Sequence, residues 1–186
     1  MVLRQPLFTL HSSLFTYMSP LVSIIMGSTS DMKVMQKAAE LLNQQAIPFE
    51  LNALSAHRTP QAVEQFARQA APRGVKVIIA GAGMAAALPG VIAASTPLPV
   101  IGVPISGSVL DGLDATLSML QMPPGIPVAT VAVNGALNAA VLAMQILALT
   151  DEGIALKLNN YKATLADKVK QANADLAELH YDYKTN

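Results

Sequence analysis

The sequence contains no cysteine and no tryptophan, and only 13% of its 186 residues are charged. Without cysteine, disulfides and thiolate chemistry are excluded, which is compatible with the cytoplasmic location that we expect. Twelve basic residues balance twelve acidic ones, and no basic block is present, so nucleic-acid binding is not expected. Because 52% of the residues are hydrophobic, too few polar groups remain to cover a lone monomer. We therefore expect a homo-oligomer.

Two long stretches without charge, 77–110 and 115–150, superficially resemble membrane spans. Each is interrupted by several glycines and prolines, which would leave backbone groups unpaired in lipid, so we expect no membrane association. The first twenty residues lack a continuous apolar core and a small-residue cleavage site. We expect a loose extension over residues 1–20, a single catalytic domain over 21–180 and a tail over 181–186.

Short apolar runs typical of buried strands recur along the chain, at 21–26, 49–54, 75–81, 98–104 and 128–133. Apolar residues at helical spacing lie between and after them, at 32–45, 60–70, 85–95 and 134–150, and one further short helix lies in the stretch LDGLDATLSMLQMP. This alternation predicts a three-layer αβα sandwich with a doubly wound, mainly parallel sheet of the flavodoxin or Rossmann type. A final amphipathic pattern from Ile154 to Leu176 predicts a long C-terminal helix that docks on a neighbour or on its own body.

Three unusual loops follow the first three predicted strands: GSTSD at 27–31, LSAHRTP at 54–60 and GAGMAAALPG at 81–90. In parallel sheets, ligands bind beyond the carboxyl ends of the strands. The three loops therefore predict one binding site.

The first two loops have the chemistry of a phosphate clamp. GSTSD connects a strand to a helix, so its backbone N–H groups and hydroxyls face a ligand at a positive helix end, with Asp31 free to accept from a sugar hydroxyl. An ordinary helix cap is the alternative explanation for GSTSD alone. Ser55 and Arg58 add a hydroxyl and a fixed positive charge from the next strand end, which favours phosphate.

His57 lies between these polar residues and is the candidate general acid and base. Only three histidines occur in the chain, and we expect His11 and His180 to be solvated bystanders. A metal site is not expected, because no second histidine, cysteine or carboxylate cluster accompanies His57. An imidazole at a strand end suits proton transfer near neutral pH.

The third loop matches the dinucleotide fingerprint G-x-G-x-x-G/A at Gly81, Gly83 and Ala86. A nicotinamide site also needs an acidic residue about 20 positions later. No aspartate or glutamate occurs between Glu64 and Asp111, so this requirement fails. We interpret the glycines as permitting close backbone approach to a flat base or a small substrate.

The order and spacing of GSTSD, SAHRTP and GAGxAAxLPG resemble one known family over about residues 21–165. It is the class I N5-carboxyaminoimidazole ribonucleotide mutase family, the bacterial catalytic subunit of phosphoribosylaminoimidazole carboxylase. The stretches VIGVP, LSMLQMPPGIPVATVAV and NAAVLAMQILAL continue the resemblance. It implies a purine-biosynthetic isomerase that moves a carboxyl group from N5 to C4 of an aminoimidazole ribonucleotide through released CO₂. It also implies no metal, no organic cofactor, a homo-octamer with sites between subunits, and a functional link to the ATP-dependent synthase of the carbamate substrate.

Carried over by position, the resemblance implies a role for nine residues. It implies phosphate contacts from Ser28, Ser55 and Arg58, a ribose contact from Asp31, catalysis by His57, and contacts to the base and carboxyl group from Ala82, Gly83, Met84 and Leu88.

The chain departs from the family pattern at three positions. Members commonly have histidine at the position of Ala87, glycine at that of Met84, and arginine at that of Pro124. Two alternatives to the mutase stay open: direct carboxylation of aminoimidazole ribonucleotide by CO₂, and a non-catalytic nucleotide-phosphate binder. Arg58 favours the mutase over the animal-type carboxylases, which typically have lysine there, and retention of His57 counts against a mere binder.

Overall fold

Five parallel strands form the central sheet of the computed structural model, which describes residues 19–107 and 109–186. The strands are β1 Val22–Met26, β2 Phe49–Ala53, β3 Val77–Gly83, β4 Val100–Ile105 and β5 Ala129–Thr130. The helices are α1 Met32–Gln44, α2 Pro60–Ala70, α3 Leu88–Ser95, α4 Leu113–Leu120, α5 Ala136–Ala148 and α6 Glu152–Ala177. A short 3₁₀ turn, Thr29–Asp31, precedes α1. The predicted N-terminal extension falls, for residues 1–18, outside the described residues, as does His11.

The strand order is β2-β1-β3-β4-β5, so the chain reverses direction across the sheet after β2. Because crossovers between parallel strands are right-handed, this reversal sends α1 to one face and α2 to the other. One apolar core lies between the sheet and α1, α5 and α6, and a second lies between the sheet and α2, α3 and α4. The predicted three-layer, doubly wound fold is confirmed.

Alternate residues of the central strands supply the two cores, as the period of a strand requires. On β3, Val77 and Ile79 belong to the first core, whereas Ile78 and Ala80 belong to the second. All four are fully buried. A strand covered on both faces has no polar side, which explains the continuous apolar runs in the sequence.

The fifth strand is much shorter than predicted. We expected residues 128–133, but only Ala129 and Thr130 pair with β4. The ladder ends because Pro104 of β4 has no N–H to donate to the next carbonyl of the edge strand. The carbonyl of Pro104 instead accepts from the N–H of Asn134 at 2.8 Å, one residue later than a regular parallel ladder would place it.

The third strand lies two residues later than predicted. It runs to Gly83 because β4 stays paired with it up to the pair Gly83 and Ile105. The close approach allowed by Gly81 is to protein, since a Cβ atom there would overlap the Met35 sulfur of α1.

The last two helices behave differently from each other. Helix α5 packs between α1 and α6 and also contacts β3 and β4, which accounts for its nearly uncharged sequence. Helix α6 buries only Ile154 and Leu158 of its apolar stripe, while Leu165 and Val169 are exposed. Among the described residues, no helix is long and apolar enough to cross a membrane.

We predict that Gly81→Ala destabilises the fold by about 1–3 kcal/mol, because an extra methyl group must displace the fully buried Met35 side chain. Urea unfolding at fixed protein concentration measures the change. Met35→Ala makes room for that methyl group, so the double variant should lose less stability than the two single variants together. Strict additivity would show that Met35 does not hold the space beside Gly81.

Candidate active site

A pocket of about 1050 Å³ opens at the carboxyl edge of the sheet. It lies where the strand order switches between β1 and β3, the usual ligand position in this topology. All nine residues singled out from the sequence line it: Ser28, Asp31, Ser55, His57, Arg58, Ala82, Gly83, Met84 and Leu88. Parallel strands bring the loops together, although residues 32–80 separate the first loop from the third.

The GSTSD loop forms one wall as a compact turn before α1. The hydroxyl oxygen of Ser28 accepts from the N–H of Ser30 at 3.3 Å, and the Ser30 hydroxyl donates to Asp31 at 3.3 Å. Ser28 is the N-cap of the 3₁₀ turn. Ser28 thus caps the 3₁₀ turn and lines the pocket as well, whereas Asp31, at the N-cap position of α1, makes no side-chain cap bond.

Burial raises the pKa of Asp31 above its ordinary value, although hydrogen bonds from Ser30 and from the backbone of Ser28 and Gly27 act in the opposite direction. The free protein therefore holds a carboxylate in a place that disfavours its charge. A ligand that donates hydrogen bonds to this carboxylate, such as a sugar with free hydroxyl groups, would compensate for the lost hydration.

The LSAHRTP loop forms the adjoining wall, and the Thr59 hydroxyl holds its conformation. Thr59 donates through its hydroxyl to the Ser55 carbonyl at 3.0 Å and accepts from the Ser55 N–H at 3.1 Å. Thr59 occupies the N-cap position of α2 without a side-chain cap bond. Its hydroxyl thus shapes the loop that presents Ser55, His57 and Arg58.

Arg58 connects GSTSD and LSAHRTP, the two loops that are predicted to bind phosphate. Its Nε donates to the Ser55 hydroxyl oxygen at 3.3 Å, and its Nη2 donates to the Gly27 carbonyl at 3.2 Å. Within residues 19–107 and 109–186, no carboxylate pairs with this guanidinium. Its charge is therefore available to an anion, and its orientation is fixed by neutral oxygens.

His57 is exposed and lines the pocket from the same loop. No hydrogen bond to its imidazole occurs in the described part of the chain, so both ring nitrogens can meet a ligand. His180 is also exposed, but it lies beyond the end of α6 and does not line the pocket. The structure thus places His57 at the pocket and His180 in solvent outside it.

The third wall runs from Ala82 to Leu88 and carries no titratable side chain. Met84 adopts the left-handed conformation with φ 56° and is 67% exposed. A long side chain rarely adopts this conformation, which costs about 1–3 kcal/mol and is enriched at functional sites. Ala87 lines the pocket as well, whereas Pro124 lies in an exposed turn outside the pocket-lining residues.

Several pocket residues were missed by sequence reasoning. Lys33 and Lys37 lie one turn apart on α1, and Ser106, Gly107 and Asn134 follow β4 and β5. The i, i+4 lysines directly after GSTSD were a usable signal. Lys33, Lys37 and Arg58 against Asp31 make the pocket positive within a chain of zero net charge. This suits a ligand with several negative charges.

The described residues contain no group of three or more histidine, cysteine, aspartate or glutamate side chains placed to hold a metal ion. The donors that line the pocket include hydroxyls, backbone and side-chain amides, lysines and an arginine. These groups suit phosphate and carboxylate oxygens.

Comparison with known proteins gives a consistent set of relatives. The sequence matches the AIR carboxylase family over residues 21–168. It is 51% identical to the N5-carboxyaminoimidazole ribonucleotide mutase of Pyrococcus horikoshii over 163 residues, which are 88% of this chain and 92% of that protein. It is 53% identical to the phosphoribosylaminoimidazole carboxylase of Candida albicans over 169 residues, which are 90% of this chain and 30% of that protein.

The chain therefore spans most of the Pyrococcus relative but less than a third of the Candida one. A crystal structure of Treponema denticola PurE is similar in fold, with a TM-score of 0.76 at 33% sequence identity. The match covers 84% of this chain and 98% of that one.

We predict that Asp31→Asn raises the melting temperature of the free protein at pH 7. The raised pKa means that the ionised carboxylate costs stability above that pKa, and that this cost disappears as the pH falls and the group is protonated. The advantage of the amide should therefore vanish in acid, as thermal unfolding across the pH range would measure. Asp167→Asn on the exposed side of α6 is the control, with no gain expected. A lower melting temperature for Asp31→Asn at pH 7 would contradict the effect of burial.

Proposed function

The chain belongs to the AIR carboxylase family, and we propose that it interconverts N5-carboxyaminoimidazole ribonucleotide and 4-carboxy-5-aminoimidazole ribonucleotide in purine biosynthesis. The observation that carries this proposal is the convergence of His57, Arg58 and Ser55 from one loop on the pocket that GSTSD and the third loop also line. This reaction requires side chains that bind the phosphate and, beside them, one side chain that can both donate and accept a proton.

The phosphate binds, in this proposal, at the end of the pocket near β1 and β2. Arg58 supplies the charge, Ser28 and Ser55 supply hydroxyls, and Asp31 accepts from the ribose. The existing bonds of Arg58 to the Ser55 hydroxyl and the Gly27 carbonyl support this assignment, because they hold the guanidinium between both loops before a ligand arrives.

The aminoimidazole then lies along β3, against Ala82, Gly83, Met84 and Leu88. Small side chains there leave space for a flat ring, and the wall offers no competing acid or base. CO₂ carries no charge, so an apolar wall retains it without a specific partner. The exposed Met84 side chain extends this apolar surface.

His57 moves the protons of both half-reactions. Its imidazolium form donates a proton to N5 as the N–C bond of the carbamate breaks and CO₂ leaves. C4 of the electron-rich ring then attacks the carbon of the same CO₂. The neutral imidazole removes the proton from C4, which restores the aromatic ring and returns His57 to its starting state. Atoms and protons balance over the cycle, so no cofactor is required.

Direct carboxylation of aminoimidazole ribonucleotide by CO₂ is the second candidate function. The 53% identity to the Candida carboxylase supports it, whereas the near-complete coverage of the Pyrococcus mutase supports the first. The purified protein is supplied either with the carbamate ribonucleotide or with aminoimidazole ribonucleotide and bicarbonate. Product formation from one or the other separates the two candidate functions. Turnover of the carbamate at low bicarbonate is the expected result.

The carbamate substrate of the mutase would come from an ATP-dependent synthase. The lack of cysteine fits a cytoplasmic location.

We predict that His57→Asn keeps the fold and the affinity for the ribonucleotide but loses at least about 10²-fold to 10⁴-fold in turnover. Asparagine retains size and hydrogen bonding but cannot carry a proton near neutral pH. A direct assay of carbamate consumption, with a binding measurement on the same sample, measures both effects. His180→Asn is the control and should leave the rate unchanged. Near-normal turnover by His57→Asn would leave a binding role only.

We further propose that the chain assembles as a homo-octamer, with the number eight carried over from the family resemblance. Exposed leucines on α4 and α5, among them Leu113, Leu117, Leu120 and Leu137, support burial against other copies. Light scattering should give eight times the chain mass. Replacing Leu117 and Leu120 by glutamate should lower this mass while the isolated chain stays folded by circular dichroism. A stable wild-type monomer would contradict the assembly.

A further inference from the structure

Ser106 and Asn134 form a polar pair at the end of β4 that neither the sequence motifs nor the phosphate loops account for. The Oδ1 of Asn134 accepts from the N–H of Ser106 at 3.1 Å, and its Nδ2 donates to the Ser106 hydroxyl oxygen at 2.7 Å. Both residues line the pocket. The backbone N–H fixes Oδ1 on its side, so the donor Nδ2 must face the hydroxyl.

The backbone of Asn134 is shaped for this contact. The residue adopts the left-handed conformation with φ 58°, which asparagine tolerates better than most residues. Its own N–H donates to the Pro104 carbonyl at 2.8 Å. Three hydrogen bonds thus join the segment after β5 to the end of β4 and hold the Ser106 hydroxyl at the pocket wall.

The Ser106 hydroxyl faces the pocket as a donor. Its oxygen already accepts from Asn134, so the hydroxyl proton points away from the amide. In the described part of the chain, no acceptor takes this proton. An anionic oxygen in the pocket would be the strongest available partner.

The position of Ser106 places this donor at the end of the pocket remote from the phosphate loops. In the sheet, β3 lies between β1 and β4, and adjacent strands are about 4.8 Å apart, so GSTSD and Ser106 follow strand ends about 10 Å apart. Ser106 also directly follows Ile105, the register partner of Gly83. A phosphoribosyl group bound at β1 would therefore direct its base, and any substituent on it, toward Ser106.

We propose that the Ser106 hydroxyl binds the carboxylate of the ribonucleotide, and that Asn134 is the positioning residue that aims it. This inference rests on the proposed function. N5 is the exocyclic nitrogen bonded to ring atom C5, and C4 is the neighbouring ring atom. The carboxylate therefore lies at the same edge of the ring in substrate and product, and one donor at that edge reaches it in both. It stabilises both ground states alike, and its loss should raise KM more than it lowers kcat.

The test compares two ligands that differ only in the carboxylate: 4-carboxy-5-aminoimidazole ribonucleotide and 5-aminoimidazole ribonucleotide. Ser106→Ala should weaken binding of the first by about tenfold or more, as expected for a lost hydrogen bond to a charged group, and leave the second unchanged in calorimetry. Arg58→Ala should weaken both. Ser118→Ala removes an exposed hydroxyl on α4 that bonds to the Asp114 carbonyl, and should weaken neither.

Asn134→Gly provides the second variant, because glycine keeps the left-handed backbone while removing the amide. It should reproduce the selective loss of Ser106→Ala and the rise in KM. Equal weakening of both ligands by Ser106→Ala, or no weakening of either, would overturn the inference. Failure of the wild-type protein to turn over the carbamate would instead overturn the proposed function, while the ratio of the two affinities would still decide the assignment of Ser106.

Discussion

Parallel pairing of β1, β2, β3 and β4 is the constraint on which the rest of the molecule depends. It forces every strand to end at the same edge, so each loop at that edge contributes to one pocket. It also requires helical crossovers, which cover both faces and make the central strands apolar throughout. The fold and the location of the site therefore have a single physical cause.

The pocket carries a net positive charge, although the formal net charge of the whole chain is zero. Lys33, Lys37 and Arg58 face it from two elements, and the one carboxylate among them, Asp31, is held where burial opposes its ionisation. Burial of the ionised Asp31 thus lowers the stability of the free protein, whereas Lys33, Lys37 and Arg58 attract an anionic ligand. Such a local loss of stability is common where a ligand later supplies the missing partners.

The apolar surface divides into two kinds. The two cores on the faces of the sheet form within one chain, and α5 packs against α1, α6 and the sheet while Leu137 at its start stays exposed. The leucines of α4 and the second half of α6 remain exposed. This exposed apolar surface reflects the low charge content of the sequence. It is the reason that assembly with other copies of the chain forms part of the proposed function.

The sequence by itself determined the order of the elements and the layers, because strand and helix periods are local patterns, and its loops predicted Asp31, Ser55, His57 and Arg58 as site residues. The family resemblance supplied the other proposed site residues and the proposed roles of all nine, which the fold places around one pocket. Only the tertiary structure decided where β5 ends, since that depends on the register that sets Pro104 beside the edge strand. It also decided that Ser106 meets Asn134 across 28 positions and that α1 turns its lysines to the pocket. Contacts between distant segments depend on strand order and register, and β3 and β4, which are apolar on both faces, carry no alternating pattern that would fix that register.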